Sequence, residues 1–88
     1  MNEKELEKVL KALANKRRVF ILKYLKRVGS ASVGEIAETI KLSLKSTSRH
    51  LAVFSSADIL EREQVGLTVF YFLPKSHHPI TSKLLSII

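Results

Sequence analysis

The segment around which this chain is organised reads Ser43-Leu44-Lys45-Ser46-Thr47-Ser48-Arg49-His50-Leu51-Ala52-Val53-Phe54. At helical spacing it divides into two unlike faces, because residues three and four positions apart lie on the same side of a helix. One face is apolar and contains Leu44, Thr47, Leu51 and Phe54. The other is cationic, hydroxyl-bearing and narrow, and contains Lys45, Ser48, Arg49 and Ala52. Such a helix suits a groove of DNA, and a solvated amphipathic helix is the alternative interpretation.

The composition indicates a small globular chain with excess positive charge. Its 88 residues are enough for one domain, and a hydrophobic fraction of 45% argues against disorder. Fifteen Lys and Arg against eight Asp and Glu give a formal net charge of +7, which favours attraction to nucleic acid or an anionic membrane surface. The apolar runs are far too short to span a membrane, and no signal-peptide core follows the charged N-terminus. We expect a single cytoplasmic domain, residues 1–88.

Several kinds of site are excluded by missing residues and motifs. The chain has no Cys, which excludes disulfides, thiolate metal ligands and a Cys nucleophile. It also lacks a nucleophile elbow, a phosphate-binding Gly-rich loop and clustered carboxylates. We therefore expect no enzyme activity and no cofactor.

Two helices are predicted at the start of the chain. The first spans residues 3–14, and Asn2 can cap it with its side-chain oxygen. The second spans about residues 16–28 and ends at Gly29, which tolerates a left-handed turn. It is apolar on several faces, as is typical of a central helix. Its basic residues are interpreted as solvated charges, one or two of which could touch phosphate: Arg17, Arg18, Lys23, Lys26 and Arg27.

A helix-turn-helix is predicted over about residues 33–56. Ser32 begins its first helix with a capping box, because Glu35 follows three positions later. This helix runs to Ile40, and Ser43 caps the segment quoted above. Two short helices joined by a turn of about three residues are typical of this motif.

After Phe54 the pattern becomes typical of strands. The first strand is predicted over residues 59–63 and the second over residues 67–73, with residues 64–66 at the hairpin tip. A Pro then starts a last helix over residues 80–88. The fold class is therefore mainly α with a β-hairpin: a winged helix-turn-helix with four helices, the wing at about residues 59–73, and a fifth helix.

The first and last helices, residues 3–14 and 80–88, carry apolar stripes at opposite ends of the chain. So small a domain has difficulty covering both, which favours a shared two-fold interface between two copies. Packing of the first helix against the last within one chain is the alternative. The residues predicted for dimerisation are Leu6, Val9, Leu10, Leu13, Leu84, Leu85 and Ile88.

Five short motifs lie in register along the chain. They are Leu10–Arg18 with Ile21–Leu25, then Ser32–Ala37, Leu42–Ser43, Ser48–Leu51 and Val69–Leu73. In this order they resemble ArsR-type (arsenic-repressor-like) transcriptional regulators, and the resemblance covers about Leu6 to Pro74.

The resemblance implies a homodimer that binds a pseudo-palindromic operator in double-stranded DNA, with the helix after Ser43 in the major groove. Carried over by position, four residues would face bases: Leu44, Lys45, Ser48 and Arg49. Three would lie near the DNA backbone, Lys41, Ser43 and Ser46, and Arg62 is the nearest cation to the wing tip. The leading hypothesis is a sequence-specific regulator, a homodimeric repressor. A winged-helix protein–protein interaction module and a non-specific DNA-binding structural protein are the alternatives.

The chain departs from the family pattern at several positions. Leu44 stands where members often have Gln. Leu44 would therefore replace a base hydrogen bond by apolar contact, or its side chain would point inward and extend the apolar stripe. The wing tip, residues 64–67, lacks the usual cations, and Asp58 stands where a Gly commonly turns the chain. The Pro often found before the second helix is absent.

The metal sites of many relatives have no full counterpart in this sequence. Ser32 and Gly34 occupy the positions of Cys ligands in the third helix, and neither is a soft ligand. His77 and His78 are adjacent, so on a helix they would point about 100° apart and are poorly placed to share one ion. We expect no metal. We interpret these histidines as loop residues that end the wing, and His50 as packed under the recognition helix.

Overall fold

The chain forms five helices and three short strands, and the computed structural model describes all of residues 1–88. In order, the elements are α1 (Glu3–Leu13), α2 (Lys16–Val28), β1 (Ser30–Ser32), α3 (Val33–Ile40), α4 (Leu44–Ser56), β2 (Glu61–Val65), β3 (Thr68–Phe72) and α5 (Pro79–Ile87). The predicted winged helix-turn-helix is confirmed, with β1 as an added third strand. No helix is both long and apolar enough to cross a membrane.

Side-chain caps fix where four of the helices begin. Asn2 Oδ1 accepts a hydrogen bond from the Glu5 amide at 2.8 Å, and Asn15 Oδ1 accepts from the second and third amides of α2 at 3.0 and 3.1 Å. Ser32 and Glu35 form the predicted reciprocal capping box. Ser43 Oγ accepts from the third amide of α4 at 3.1 Å. Each cap satisfies backbone donors that a helix start leaves without partners.

The strands form one antiparallel sheet in the order β1-β3-β2. In its register Ala31 lies opposite Tyr71, so the short strand before α3 pairs with the inner strand of the wing. Ala31 and Tyr71 are both buried. This pairing connects the wing to the beginning of the helix-turn-helix.

The hairpin boundaries differ from the sequence prediction. Ile59 and Leu60 precede β2 instead of belonging to it, since the Ile59 amide donates to the Phe54 carbonyl at 2.9 Å and closes the end of α4. Both side chains are buried in the core. Gln64 and Val65 were predicted at the tip but continue β2. The turn is only Gly66-Leu67, and Gly66 has a φ of 63°, as a two-residue hairpin with Gly at its first position requires.

A single hydrophobic core draws on every helix and on the sheet. Its residues are Val9, Ala12, Ile21, Leu22, Leu25, Ala31, Ile36, Leu51, Phe54, Ala57, Ile59, Leu60, Tyr71 and Leu85. Helix α4 contributes Leu51 and Phe54, and Thr47 on the same face is also buried. The predicted apolar face of α4 is therefore buried, except at Leu44, the first residue of the helix.

Helices α1 and α5 contact each other within one chain. Val9 and Leu85 are buried there, so these two predicted dimerisation residues contribute to the core of their own chain. Lys26 Nζ donates a hydrogen bond to the Leu85 carbonyl near the end of α5. Lys26 is exposed, as predicted for a solvated charge, and its ammonium also binds a backbone acceptor at a helix C-terminus.

Replacing the buried Thr47 hydroxyl by a methyl group should stabilise the fold. Thr47 is fully buried and its Oγ1 has no hydrogen-bond partner. We expect Thr47→Val to raise the free energy of unfolding by about 1 kcal/mol in urea denaturation. Thr39→Val is the matched control, because Thr39 Oγ1 already donates to the Glu35 carbonyl at 2.8 Å. A loss of stability in Thr47→Val would contradict the prediction.

Candidate nucleic-acid interface

The turn between α3 and α4 is three residues long and begins with a left-handed residue. Lys41 has a φ of 58°, and the Leu42 amide donates to the Ala37 carbonyl at 3.1 Å, which closes the end of α3. Ser43 then caps α4. Lys41 and Ser43 are both exposed, so the turn places a cation and a hydroxyl beside the start of α4.

The outward face of α4 contains the predicted reading residues. Lys45, Ser48, Arg49 and Ala52 are all exposed, as the helical spacing predicted. Leu44 is 60% exposed. The alternative that Leu44 turns inward to extend the apolar stripe is therefore wrong. Its side chain lies at the solvent-exposed start of the helix.

The cations on this face have no acidic partner within the chain. The single ion pair of the structure joins Lys11 and Glu7 on α1 at 3.7 Å. Helix α4 contains no acidic residue, and its positive N-terminal end lies beside Lys41 and half-buried Ser46. Free amides, hydroxyls and cations at a helix N-terminus form a suitable environment for a phosphate group.

The wing presents a different surface. Its tip is apolar, since Leu67 is 100% exposed and Val65 is also exposed. Arg62 lies opposite buried Tyr71 in the sheet, but Arg62 itself is exposed, like every other residue of β2. The opposite face carries the acidic side chains of Glu61 and Glu63. The wing therefore has only one cation on its outer strand.

Arg18 forms a contact that sequence reasoning missed. Its Nε donates to the Ala12 carbonyl at 2.7 Å, and another guanidinium nitrogen donates to the Lys11 carbonyl at 3.0 Å. A third nitrogen lies 3.3 Å from His50 Nδ1 on α4. The interpretation of Arg18 as a solvated charge is wrong. Arg18 and His50 are 32 positions apart, and no sequence signal links them.

The Arg18 contact defines the state of His50. A guanidinium only donates hydrogen bonds, so this contact favours the neutral ring of His50 with Nδ1 as the acceptor. Burial lowers the pKa of His50, and the positive charges of Arg18 and Arg17 lower it further. His50 is half-buried on the side of α4 that contacts Arg18 of α2, which agrees with its expected packing beneath the recognition helix.

The predicted dimerisation residues and the paired histidines occupy different environments. Leu10 is exposed, whereas Leu6, Leu13, Leu84 and Ile88 are half-buried and retain accessible surface. The paired histidines lie between β3 and α5, as predicted, and the second directly precedes α5. The structure brings no three His, Asp or Glu side chains together in a group suited to a metal ion.

The His50 contact predicts a pH-dependent stability. The pKa of His50 in the folded chain is below its ordinary value of about 6.5, so the unfolded chain binds a proton at this residue more readily than the folded chain does. The free energy of unfolding should therefore fall as the pH drops below about 6.5. In His50→Gln this component should disappear from thermal unfolding followed between about pH 7.5 and pH 5. His78→Gln is the matched control, because it leaves the Arg18–His50 contact in place and should keep the His50 component. Equal slopes in the wild type and His50→Gln would contradict the assignment.

Sequence comparisons identify relatives of this chain. Residues 15–62, more than half of the chain, match the model of the family described as bacterial regulatory protein, arsR family. The transcriptional activator HlyU of Vibrio cholerae is 38% identical over 80 residues, covering 83% of this chain and 73% of HlyU. A CadC homolog of Staphylococcus aureus, a cadmium resistance transcriptional regulatory protein, is 32% identical over 76 residues, covering 86% of this chain and 63% of the homolog.

Solved structures show the same architecture. HlyU from Vibrio cholerae superposes with a TM-score of 0.82 at 30% identity, covering 99% of this chain and 94% of HlyU. The homodimeric winged helix-turn-helix DNA-binding domain of Mb0332 from Mycobacterium bovis gives a TM-score of 0.81 at 27% identity, covering 96% and 74% of the two chains. The family and these relatives are regulators and not enzymes. This chain belongs to the ArsR family and is a transcriptional regulator with a winged-helix DNA-binding domain.

Proposed function

We propose that this chain is a homodimeric repressor, a single domain over residues 1–88, that reads a pseudo-palindromic operator through α4. The observation that carries the proposal is the unpaired cationic face of α4, directed outward by the burial of its other face. In a bacterium this function places the protein in the cytoplasm with the DNA.

The residues of the helix-turn-helix divide into two roles. Lys45, Ser48 and Arg49 would contact base edges in the major groove, with Leu44 against an apolar base feature such as a thymine methyl. The backbone set comprises Lys41, Ser43 and Ser46, with Arg62 from the wing. The backbone contacts supply affinity and register, and the base contacts supply sequence preference.

The dimer would form through α1 and α5. Mb0332 is described as homodimeric, and this chain keeps accessible apolar surface at Leu6, Leu10, Leu13, Leu84 and Ile88. Two copies related by a two-fold axis would place their α4 helices in half-sites about 34–36 Å apart. The packing of α1 on α5 within each chain is compatible with this arrangement, because Val9 and Leu85 face inward.

Repression is the simpler regulatory mechanism, because a dimer bound over a promoter blocks polymerase without contacting it. HlyU is named an activator, so the direction of regulation requires its own measurement. We expect a reporter whose operator overlaps the promoter to lose expression when this protein is made. Increased expression would contradict repression while leaving DNA binding intact.

A protein–protein interaction module is the second candidate. The exposed apolar side chains of Leu44, Val65 and Leu67 favour it, because apolar groups at a protein surface mark contact sites when they cluster. This candidate predicts no salt-sensitive DNA binding. A non-specific DNA-binding structural protein predicts salt-sensitive binding without sequence preference.

Selection from a random duplex pool, followed by titration at two salt concentrations, separates these functions. If about three to five phosphates are neutralised per protomer, affinity should fall about a thousandfold or more between about 50 and 200 mM salt. The selected duplex should bind about a thousandfold or more tighter than random duplex. Equal affinity for both duplexes would contradict a reading role.

Arg49→Ala should weaken binding to the selected duplex by about 1–3 kcal/mol and relax preference at one base pair. Arg49 is exposed on the outward face of α4, and its guanidinium suits a guanine edge. Lys83→Ala is the matched control, because it removes one exposed cation from α5. If both variants lose the same affinity and keep wild-type preference, Arg49 contributes only general charge.

Leu10→Glu should dissociate the dimer. Leu10 is 46% exposed on α1, and a carboxylate buried in an apolar interface is strongly unfavourable. We expect the dimer dissociation constant to rise by at least about tenfold in sedimentation velocity. Leu67→Glu makes the same exchange at the wing tip and should leave the dimer intact. A wild-type protein that sediments as a monomer would remove the dimer from the proposal.

A further inference from the structure

A groove of about 450 Å³ lies between α2, α3 and the end of α5. Its apolar lining consists of Phe20 and Tyr24 from α2 and Ile88 at the end of α5. Thr39 of α3 supplies a hydroxyl. Ligand sites in proteins are commonly concave, with volumes of about 300–1,000 Å³, an apolar lining and a few polar groups.

The aromatic lining of the groove is accessible. Phe20 is 50% exposed, although Ile21 and Leu22 beside it on α2 are fully buried. The Arg27 guanidinium lies 5.6 Å from the centre of the Tyr24 ring, which positions this cation beside the apolar surface. An apolar ligand would remove the exposed Phe20 ring from water, which is favourable.

The charged lining is exclusively positive. Lys23, Lys26 and Arg27 line the groove, and no Asp or Glu does. Lys26 is already engaged with the Leu85 carbonyl, whereas Lys23 and Arg27 have no ion-pair partner. A neighbouring groove shares Phe20 and Thr39 and adds three more cations, Lys16, Arg17 and Lys41. An apolar floor with unpaired cations at its edge is complementary to an anion that has an apolar body.

We propose that this groove binds a small carboxylate with an aromatic or aliphatic body. The body lies on Phe20 and Tyr24, and the carboxylate pairs with Lys23 and Arg27. An arginine beside an aromatic ring suits a planar carboxylate, because its donors match the two oxygens. The concave volume fits a ligand of this size better than a folded partner, which needs a broad contact area.

The location of the groove gives the ligand a regulatory role, and this step rests on the proposed DNA-binding function. Thr39 belongs to the helix-turn-helix, and Ile88 follows α5, a proposed dimerisation helix. A ligand between them can change DNA affinity only if it binds the DNA-competent arrangement and another arrangement with unequal affinity. The carboxylate is thus a candidate effector.

Binding can be measured directly with 2-naphthoate. The chain contains no Trp, so naphthyl fluorescence can be followed without indole emission. We expect saturable one-site binding, about tenfold tighter than that of the neutral analogue 2-naphthalenemethanol. Inorganic phosphate at the same concentration should not displace it. Equal binding of the neutral analogue, or displacement by phosphate, would overturn the proposal.

Two variants with matched controls locate the site. Phe20→Ala should weaken 2-naphthoate binding by about tenfold, whereas Leu67→Ala, another exposed apolar truncation, should not. The double variant Lys23→Gln/Arg27→Gln should remove the preference for the anion, whereas Lys8→Gln/Lys83→Gln should keep it. Circular dichroism confirms that each variant is folded, and all six positions are exposed, five on helices and Leu67 in the hairpin turn. Loss of binding to the same degree in variants and controls would overturn the assignment.

The regulatory step is tested separately with the selected duplex. Saturating 2-naphthoate should change DNA affinity by at least about fivefold in wild type and leave Phe20→Ala unaffected. If 2-naphthoate binds the groove and DNA affinity stays constant, the effector role is wrong and the binding site stands. If no duplex binds at all, the proposed function fails while the ligand measurements still decide the groove. Binding of an acidic peptide in place of 2-naphthoate would overturn the small-molecule assignment.

Discussion

The burial of one face of α4 is the constraint on which the rest of the structure depends. Thr47, Leu51 and Phe54 are fully excluded from solvent, so α4 cannot rotate about its axis without exposing them. Exposing a buried Leu or Phe side chain costs about 1.5–3 kcal/mol, and a rotation by one residue would expose both. The orientation of Lys45 and Arg49 is therefore a consequence of core packing, and these two residues need no contact of their own to maintain it.

How much the sequence predicted depends on how local each signal is. The caps at Ser32 and Ser43 act within three residues, and the apolar face of α4 repeats every three or four, so both could be predicted from the sequence. The hairpin turn lies later in the chain than the sequence predicts. The apolar residues Ile59 and Leu60 resemble the start of a strand, but they belong to the core and β2 begins at Glu61. The Arg18–His50 and Lys26–Leu85 contacts join residues 32 and 59 positions apart, and single-sequence periodicity contains no information on such pairs.

The departures from the family pattern leave the fold unchanged and, in the DNA complex that we propose, would redistribute the contacts. Leu44 points outward, so a position that often donates a hydrogen bond offers apolar contact instead. The wing tip is apolar at Val65 and Leu67, so it offers no cation to a phosphate. In the DNA complex that we propose, affinity for the backbone would come mainly from Lys41 and from the N-terminus of α4. With backbone and base contacts both at α4, a change in this helix should alter affinity and sequence preference together. The two would be more independent in a protein whose wing carries cations.

Helix α2 connects the three surfaces to which we assign functions. Arg18 binds the final carbonyls of α1 and approaches His50 beneath α4, so displacement of α1 at a dimer contact would shift a group that touches the recognition helix. Phe20, two residues later, lines the proposed ligand groove, and Lys26 binds the end of α5. Ile21, Leu22 and Leu25 bury the same helix in the core. Because close-packed interiors transmit displacement and absorb little of it, α2 can link a ligand, a second copy and DNA as one rigid element.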